Sequence, residues 1–327
     1  MAPVTVRSVS EPSPADVLRA GEIVGRHLSP TPVLASPLLG ADVALKVETF
    51  QPTGSFKVRG ALVAVASALA QDPDGLVVTA SAGNHGLGVA FAAHTFGVKA
   101  VVVIPENASE AKRGALERFD VDIVRHGTTY EESETHALSL ADELGGGARF
   151  VSPYNDPDVI AGQGTIALEL FDQVPGLSTM VAPVGGGGLV AGLALAARHR
   201  SGVGVRGAEA EASPAVSRSV SAGRTVTVPI GDTLADGLAG NLEPGSVTVP
   251  LIARGVEQLV GVDEESIREA VRFLAFEHGL VVEPSGAVAV AALLSGRMEP
   301  GPGPTVVLVT GRNLAPSLLA RLLAGER

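Results

Sequence analysis

The order of short β-branched runs and Ala/Leu-rich segments between residues 75 and 144 limits the fold more than any other feature. GLVVTAS (75–81), KAVVVIPE (99–106) and VDIVRHG (121–127) have the length and residue types of strands. GLGVAFAAHTFG (86–97), SEAKRGALERFD (109–120) and YEESETHALSLADEL (130–144) read as helices. Strands separated by single helices close right-handed βαβ units, so a parallel sheet is predicted. A second series comprises STMVAPVG (178–185), a helix from about Leu189, VGVRGAEA (203–210) and, near the end, TVVLVTG (305–311). Two open α/β sheets are therefore expected, with irregular loops over 211–248.

Composition narrows what such a chain can do. Hydrophobic residues make up 46% and aromatics 3%, with no tryptophan, so the core must be built from Ala, Val and Leu. The chain has no cysteine, which excludes disulfides, thiolate catalysis and cysteine-based metal sites. A net charge of −11 argues against binding to nucleic acid or to an anionic membrane. The opening MAPVTVRSVSEPSPAD lacks an apolar signal region, and runs such as ALVAVASALA (61–70) are too short to span a bilayer. A cytoplasmic protein is expected. With 14 residues after Asn313, no C-terminal regulatory domain, and hence no feedback control, is expected.

Four segments carry residues suited to chemistry. In QPTGSFKVRGA (51–61), Lys57 stands among an aromatic, a valine and small residues, where partial burial would favour the neutral, reactive amine. In PVGGGGLVAGLA (183–194), four glycines join an apolar strand to an apolar helix. Their amides can approach an anion, and the helix start adds unpaired N–H groups, so phosphate binding is the natural reading over a flexible linker. A dinucleotide site competes weakly: Gly186, Gly188 and Gly192 have the wrong spacing for the fingerprint, although Glu209 follows at about the right distance. SAGNHGLGVA (81–90) puts Ser81, Asn84 and His85 at a strand end, where a helix cap and a surface histidine would be the plain alternative. VTGRN (309–313) offers a hydroxyl, Thr310, at another strand end. In EPSGAVAVAAL (283–293), Glu283 reads as a first-turn helix charge.

Taken together, a reactive lysine, a phosphate cradle, an asparagine and a hydroxyl match the needs of pyridoxal 5'-phosphate: a Schiff base, a phosphate site, a partner for the ring O3′ and a partner for the pyridine nitrogen. QPTGSFKVRGA, SAGNHG, PVGGGGL, EPSGA and TGRN, in this order, resemble the fold-type II pyridoxal-phosphate enzymes of the serine/threonine dehydratase and serine racemase branch; DTLADGLAG (232–240) and IAGQGTIALE (160–169) also fit. The resemblance runs from about Thr31 to Leu314. It implies a tryptophan synthase β-like pair of open, mostly parallel twisted sheets, with a small domain over 76–150, a large one over 1–75 and 151–327, and the cofactor between them. Lys57 would be the Schiff-base lysine and Phe56 would pack near the ring. Asn84 would bond O3′, Gly185, Gly186, Gly187 and Gly188 with Leu189 would hold the phosphate, and Thr310 would meet the ring nitrogen. Ser81, Ala82, Asn84 and His85 would surround the substrate carboxylate. A homodimer acting on a small amino acid is expected.

Departures from the family pattern bear on the reaction. Ala82 stands where serine racemases carry a second serine, as in several threonine dehydratases. Thr310 replaces the usual Ser or Cys, with Arg312 beside it. Relatives that bind a divalent cation do so through a Glu and a nearby Asp; here Glu209 in AEAEASPA (208–215) is the one candidate and the later Asp is missing, so no metal is expected. A neutral hydroxyl at the ring nitrogen favours prompt β-elimination over a long-lived carbanion. The expected activity is removal of water from a threonine- or serine-type amino acid to give a 2-oxo acid and ammonia. β-Replacement and serine racemisation on the same fold are alternatives, followed by a nucleotide-dependent oxidoreductase and a regulatory pseudo-enzyme.

Overall fold

The computed structural model describes residues 7–145 and 147–326. Its strands, in chain order, are β1 (Val33–Ala35), β2 (Val43–Val47), β3 (Leu76–Ala80), β4 (Lys99–Ile104), β5 (Asp122–Arg125), β6 (Arg149–Phe150), β7 (Thr179–Pro183), β8 (Gly204–Ala210), β9 (Gln258–Val262) and β10 (Thr305–Val309). They form two sheets, one ordered β5-β4-β3-β6 and one ordered β1-β2-β10-β7-β8-β9. Every pairing is parallel except that of β1 with β2. The strands read from sequence correspond to β3, β4, β5, β7, β8 and β10. Of the four others, β9 was also not read, and three escaped for physical reasons: β1 and β6 are three and two residues long, and β2 carries a buried charge, Lys46. The stretch 211–248 is mostly irregular, as expected, but includes helix Ala215–Ala222 and a 3-10 turn at Asp236–Leu238.

The six-stranded sheet is buried on both faces. Met180, Ala182, Val306 and Leu308 point into one apolar cluster, and Val181, Val307 and Val309 into the other, the period-two alternation of a strand with two covered faces. The scarcity of aromatics fits helices that pack backbone to backbone. A Cβ on Gly162 would lie 2.6 Å from the Cα of Gly60, so helices Lys57–Gln71 and Pro157–Gln173 meet at a glycine pair with no room for a side chain. That contact lies one turn beyond Lys57. Among the described residues no helix is long and apolar enough to cross a membrane.

Each sheet has one place where the strand order reverses. In the four-stranded sheet β3, β4 and β5 run outward one way and β6 lies on the other side of β3; in the six-stranded sheet β7, β8 and β9 run one way and β10 lies on the other side of β7. Loops leaving the C-terminal ends of strands diverge at such switch points and leave a crevice for a ligand. The loops that leave these four strands are SAGNH after β3, VSPYN after β6, GGGG after β7 and TGRN after β10. Three of the four are segments singled out from sequence.

Candidate active site

The lysine segment is fastened to the end of β10. The amide of Phe56 donates to the Thr310 carbonyl at 3.0 Å, that of Arg312 to the Gly54 carbonyl at 3.0 Å, and Ser55 forms a bridge with Gly311. Lys57 is the first residue of helix Lys57–Gln71. Its Nζ donates to the Pro153 carbonyl at 2.8 Å and lies 5.2 Å from the centre of the Phe56 ring. Burial pulls the Lys57 amine down to about 8, with Glu283 opposing. Thr310 is buried beside this segment.

Segment 151–155, which sequence reading passed over, organises the other side. Val151 O sits 3.0 Å from His85 Nε2 and also accepts from the Thr79 hydroxyl at 2.8 Å, while Pro153 O takes Lys57. A carbonyl can only accept, so His85 carries its proton on Nε2 and its buried Nδ1 is an acceptor with no partner among the described residues. Burial, aided by the nearby Lys57, pulls His85 down to about 3, so it is neutral and is no surface histidine. The turn signal Pro-Tyr-Asn-Asp-Pro directly after a short strand was the available clue.

The glycine loop rests on the next residue, Tyr154. A Cβ on Gly186 would overlap the Tyr154 ring, one on Gly188 would lie 3.0 Å from its Cα, and one on Gly185 would lie 2.9 Å from Leu238 Cα. Gly187 has a φ of +85°, in the left-handed region that glycine favours. Among the described residues no protein group takes the amides of Gly185, Gly186 and Gly187, and helix Gly188–Ala197 begins at once, with Leu189 buried in its first turn. Three free amides and a helix start make an anion cradle. A side chain at Gly186 would thus strike Tyr154 before it reached an anion. Gly186→Ala is expected to weaken cofactor affinity about 10- to 100-fold, the range of a forced overpacking. Adding Tyr154→Ala should restore part of it. Titration of the unloaded protein checks this, and a double variant no better than the single one would place the conflict elsewhere.

Asn84 and Glu283 both differ from the helix-end roles that the sequence also offered them. Asn84 is not the cap of helix Asn84–Phe96; Gly83 holds that position. Glu283 occupies the N-cap of helix Pro284–Leu294 but makes no capping bond. It reaches across to accept from Asn84 Nδ2 at 2.6 Å, linking the two sheets' strand ends. Burial pushes the Glu283 carboxyl up to about 8 against that bond. Glutamate is not among the preferred N-caps, and its presence before Pro-Ser-Gly was the overlooked signal.

The remaining candidates divide. Ser81 Oγ accepts from the Gly83 amide at 3.1 Å, holding the loop after β3. Ala82 packs against the apolar cluster of Val102, Ile104 and Leu116. Glu209 accepts from the amides of Val216 and Ser217, both at 3.0 Å, and so caps helix Ala215–Ala222. Among the described residues no group of three or more metal-binding side chains gathers.

Comparison with known proteins agrees with this geometry. The family described as "Pyridoxal-phosphate dependent enzyme" matches residues 24–311. The chain is 37% identical to the L-threonine ammonia-lyase of Thermotoga maritima over 289 residues, covering 88% of this chain and 71% of that one. It is 34% identical to the L-threo-3-hydroxyaspartate ammonia-lyase of Saccharomyces cerevisiae, covering 96% and 97%. The solved structure of maize serine racemase superposes with a TM-score of 0.88 at 30% identity, covering 97% and 98%.

Proposed function

The chain belongs to the pyridoxal-phosphate-dependent enzymes and is a lyase of that family, and from this premise we propose that it removes water from a small β-hydroxy L-amino acid of the threonine or serine type, yielding a 2-oxo acid and ammonia. The residues present fit the cofactor. Lys57 supplies an amine with a lowered pKa, the amides of Gly185, Gly186 and Gly187 supply a phosphate cradle, and Asn84 and Thr310 supply polar groups at two strand ends. When bound, pyridoxal phosphate supplies an electron sink that acidifies the Cα proton of an amino acid held through its amine.

Lys57 carries the reading. As a neutral amine in the crevice it accepts the Cα proton, and an amine near 8 holds a useful neutral fraction at physiological pH. The Pro153 carbonyl sets its direction. Neutral His85 adds no positive charge, and its Nδ1 offers an acceptor. Loss of the β-hydroxyl as water leaves an enamine, and hydrolysis of its imine tautomer releases ammonia and the oxo acid. The test is a coupled assay for oxo acid and ammonia across threonine, serine, 3-hydroxyaspartate and phenylserine. Failure on all of them, with turnover only when a second nucleophile is supplied, would replace elimination by β-replacement.

We further expect elimination without racemisation. Inversion at Cα needs a proton donor on the face opposite Lys57. Ala82 stands where the family resemblance puts the racemase serine, and its methyl packs on an apolar cluster. With L-serine as substrate, pyruvate should form with negligible D-serine, by chiral chromatography. D-serine accumulating in step with pyruvate would reveal another donor.

A further inference from the structure

We propose that Asn313 and Glu283 set the polarity of the Asn84 amide, so that Asn84 meets the ring oxygen of the bound cofactor as a hydrogen-bond donor; this rests on the reading above that the cofactor binds at Lys57. The chain of reasoning starts at the Thr53 carbonyl, which can only accept. Asn313 Nδ2 donates to it at 2.7 Å, and that bond fixes which end of the Asn313 amide is nitrogen. The same Nδ2 donates its second proton to Asn84 Oδ1 at 2.6 Å. Turned over, the Asn84 amide would set its NH2 against that of Asn313, two donors with no acceptor between them. At its other end, Asn84 Nδ2 donates to Glu283 Oε1 at 2.6 Å, and turning over would bring oxygen against oxygen. Asn313 therefore selects one orientation, and Glu283 reinforces it where its carboxyl is ionised.

The selection is built into the fold. Glu283 is buried, and the nearby Asn313 backbone amide favours its charged form. The charged groups around it are Asp236, which opposes its ionisation, and Lys112 and Lys57, which favour it. Gly311 leaves the space for the bond, since a Cβ there would overlap Glu283 Oε1 and lie 3.3 Å from Asn84 Nδ2. Once these bonds are made, one Nδ2 proton of Asn84 has no partner among the described residues. An anionic ring oxygen takes such a proton, whereas an amide presented oxygen-first would repel it. The reference point is Thr53, four residues before Lys57, so the segment that bears the reactive amine also dictates how Asn84 faces the cofactor.

Absorbance of the loaded enzyme tests this directly, because a donor at the ring oxygen favours the visible-absorbing form of the lysine-bound cofactor over the near-ultraviolet form. Asn313→Asp cannot donate to either partner. It should raise the ratio of near-ultraviolet to visible absorbance about tenfold, the effect of losing one hydrogen bond to a charged group. Asn313→Ala and Glu283→Ala should shift it the same way by less, and Glu283→Gln, which still accepts, should stay within about twofold of wild type. A merely structural role would lower cofactor occupancy without changing the ratio in molecules that stay loaded. Wild-type ratios in loaded Asn313→Asp, or in both alanine variants if the aspartate variant does not fold, would overturn the proposal. Borohydride reduction of the wild type, followed by mapping of the modified peptide, separates the two readings. Failure to fix the cofactor on Lys57 sinks the premise, while fixation with unchanged ratios sinks only the polarity assignment.

Discussion

Lys57→Ala is expected to lower turnover by about a thousandfold or more and to leave the cofactor removable by gel filtration. The magnitude is that of losing a positioned proton acceptor, and the removal of the only covalent tether adds to it. The variant should lack the visible band that borohydride bleaches in the wild type. Lys57→Arg should not rescue, because an arginine neither forms the imine nor surrenders its charge near neutral pH. A pH dependence follows from the lowered amine. With a pKa of about 8, roughly a tenth of Lys57 is neutral at pH 7, against roughly one in a few thousand for an ordinary lysine. Only the neutral amine attacks the cofactor aldehyde. Capture of pyridoxal phosphate by unloaded protein should therefore quicken about tenfold from pH 6 to 7 and level off above about 8. Stopped-flow absorbance checks this. A rate that climbs unchanged toward pH 10 would mean that the amine is not perturbed, and wild-type turnover in Lys57→Ala would remove the lysine from the mechanism.

The sequence made some parts of this site legible and hid others, for definable reasons. Regular strand–helix alternation showed both parallel sheets, and glycines beside an apolar strand end showed the anion cradle, because both leave a local pattern. The strand ends at β3, β7 and β10 were visible for the same reason. The contribution of β6 was not, since a two-residue strand has no period and its product is a pair of backbone carbonyls, at Val151 and Pro153, that any residue could supply. Asn313 was quoted within a motif without a role and Glu283 was read as a first-turn helix charge, because a bond such as that between Asn84 and Glu283 spans 199 positions in sequence. Tyr154 was hidden in a third way. The glycines above it are needed partly for its ring, and a glycine does not say what lies against it.

Arg59→Ala is expected to destabilise the fold by about 3–5 kcal/mol, the effect of removing one partner from a buried ion pair. Arg59 lies two residues beyond Lys57 and is fully buried. Its Nε and Nη2 hold both oxygens of Glu48 at 2.7 and 2.8 Å, and its Nη1 holds Glu169 at 2.7 Å. Lys46 completes a cluster of two cations and two anions, donating to Glu169 at 2.5 Å. Thr31 and Gln51 donate to Glu48, at 2.6 and 3.1 Å. Without Arg59, the buried carboxylate of Glu48 and the partly buried one of Glu169 face one ammonium. Arg59→Lys should fall between, because it restores the charge but not the fork that grips Glu48. The pH dependence has a definite sign. Burial opposes the charge on Glu48, but Arg59 outweighs it and holds the folded pKa below the ordinary value. A carboxylate with a depressed folded pKa stabilises the fold above its unfolded pKa, near 4.3, and loses that contribution as pH falls through the folded value. In Arg59→Ala the depression is gone. The stability gap between wild type and variant should therefore be widest near neutral pH and narrow below about pH 4, in urea unfolding at a series of pH values. A gap that is constant with pH would mean that the loss comes from packing alone. A gap under about 1 kcal/mol would mean that Lys46 and the surrounding hydroxyl and amide donors suffice to hold the two carboxylates.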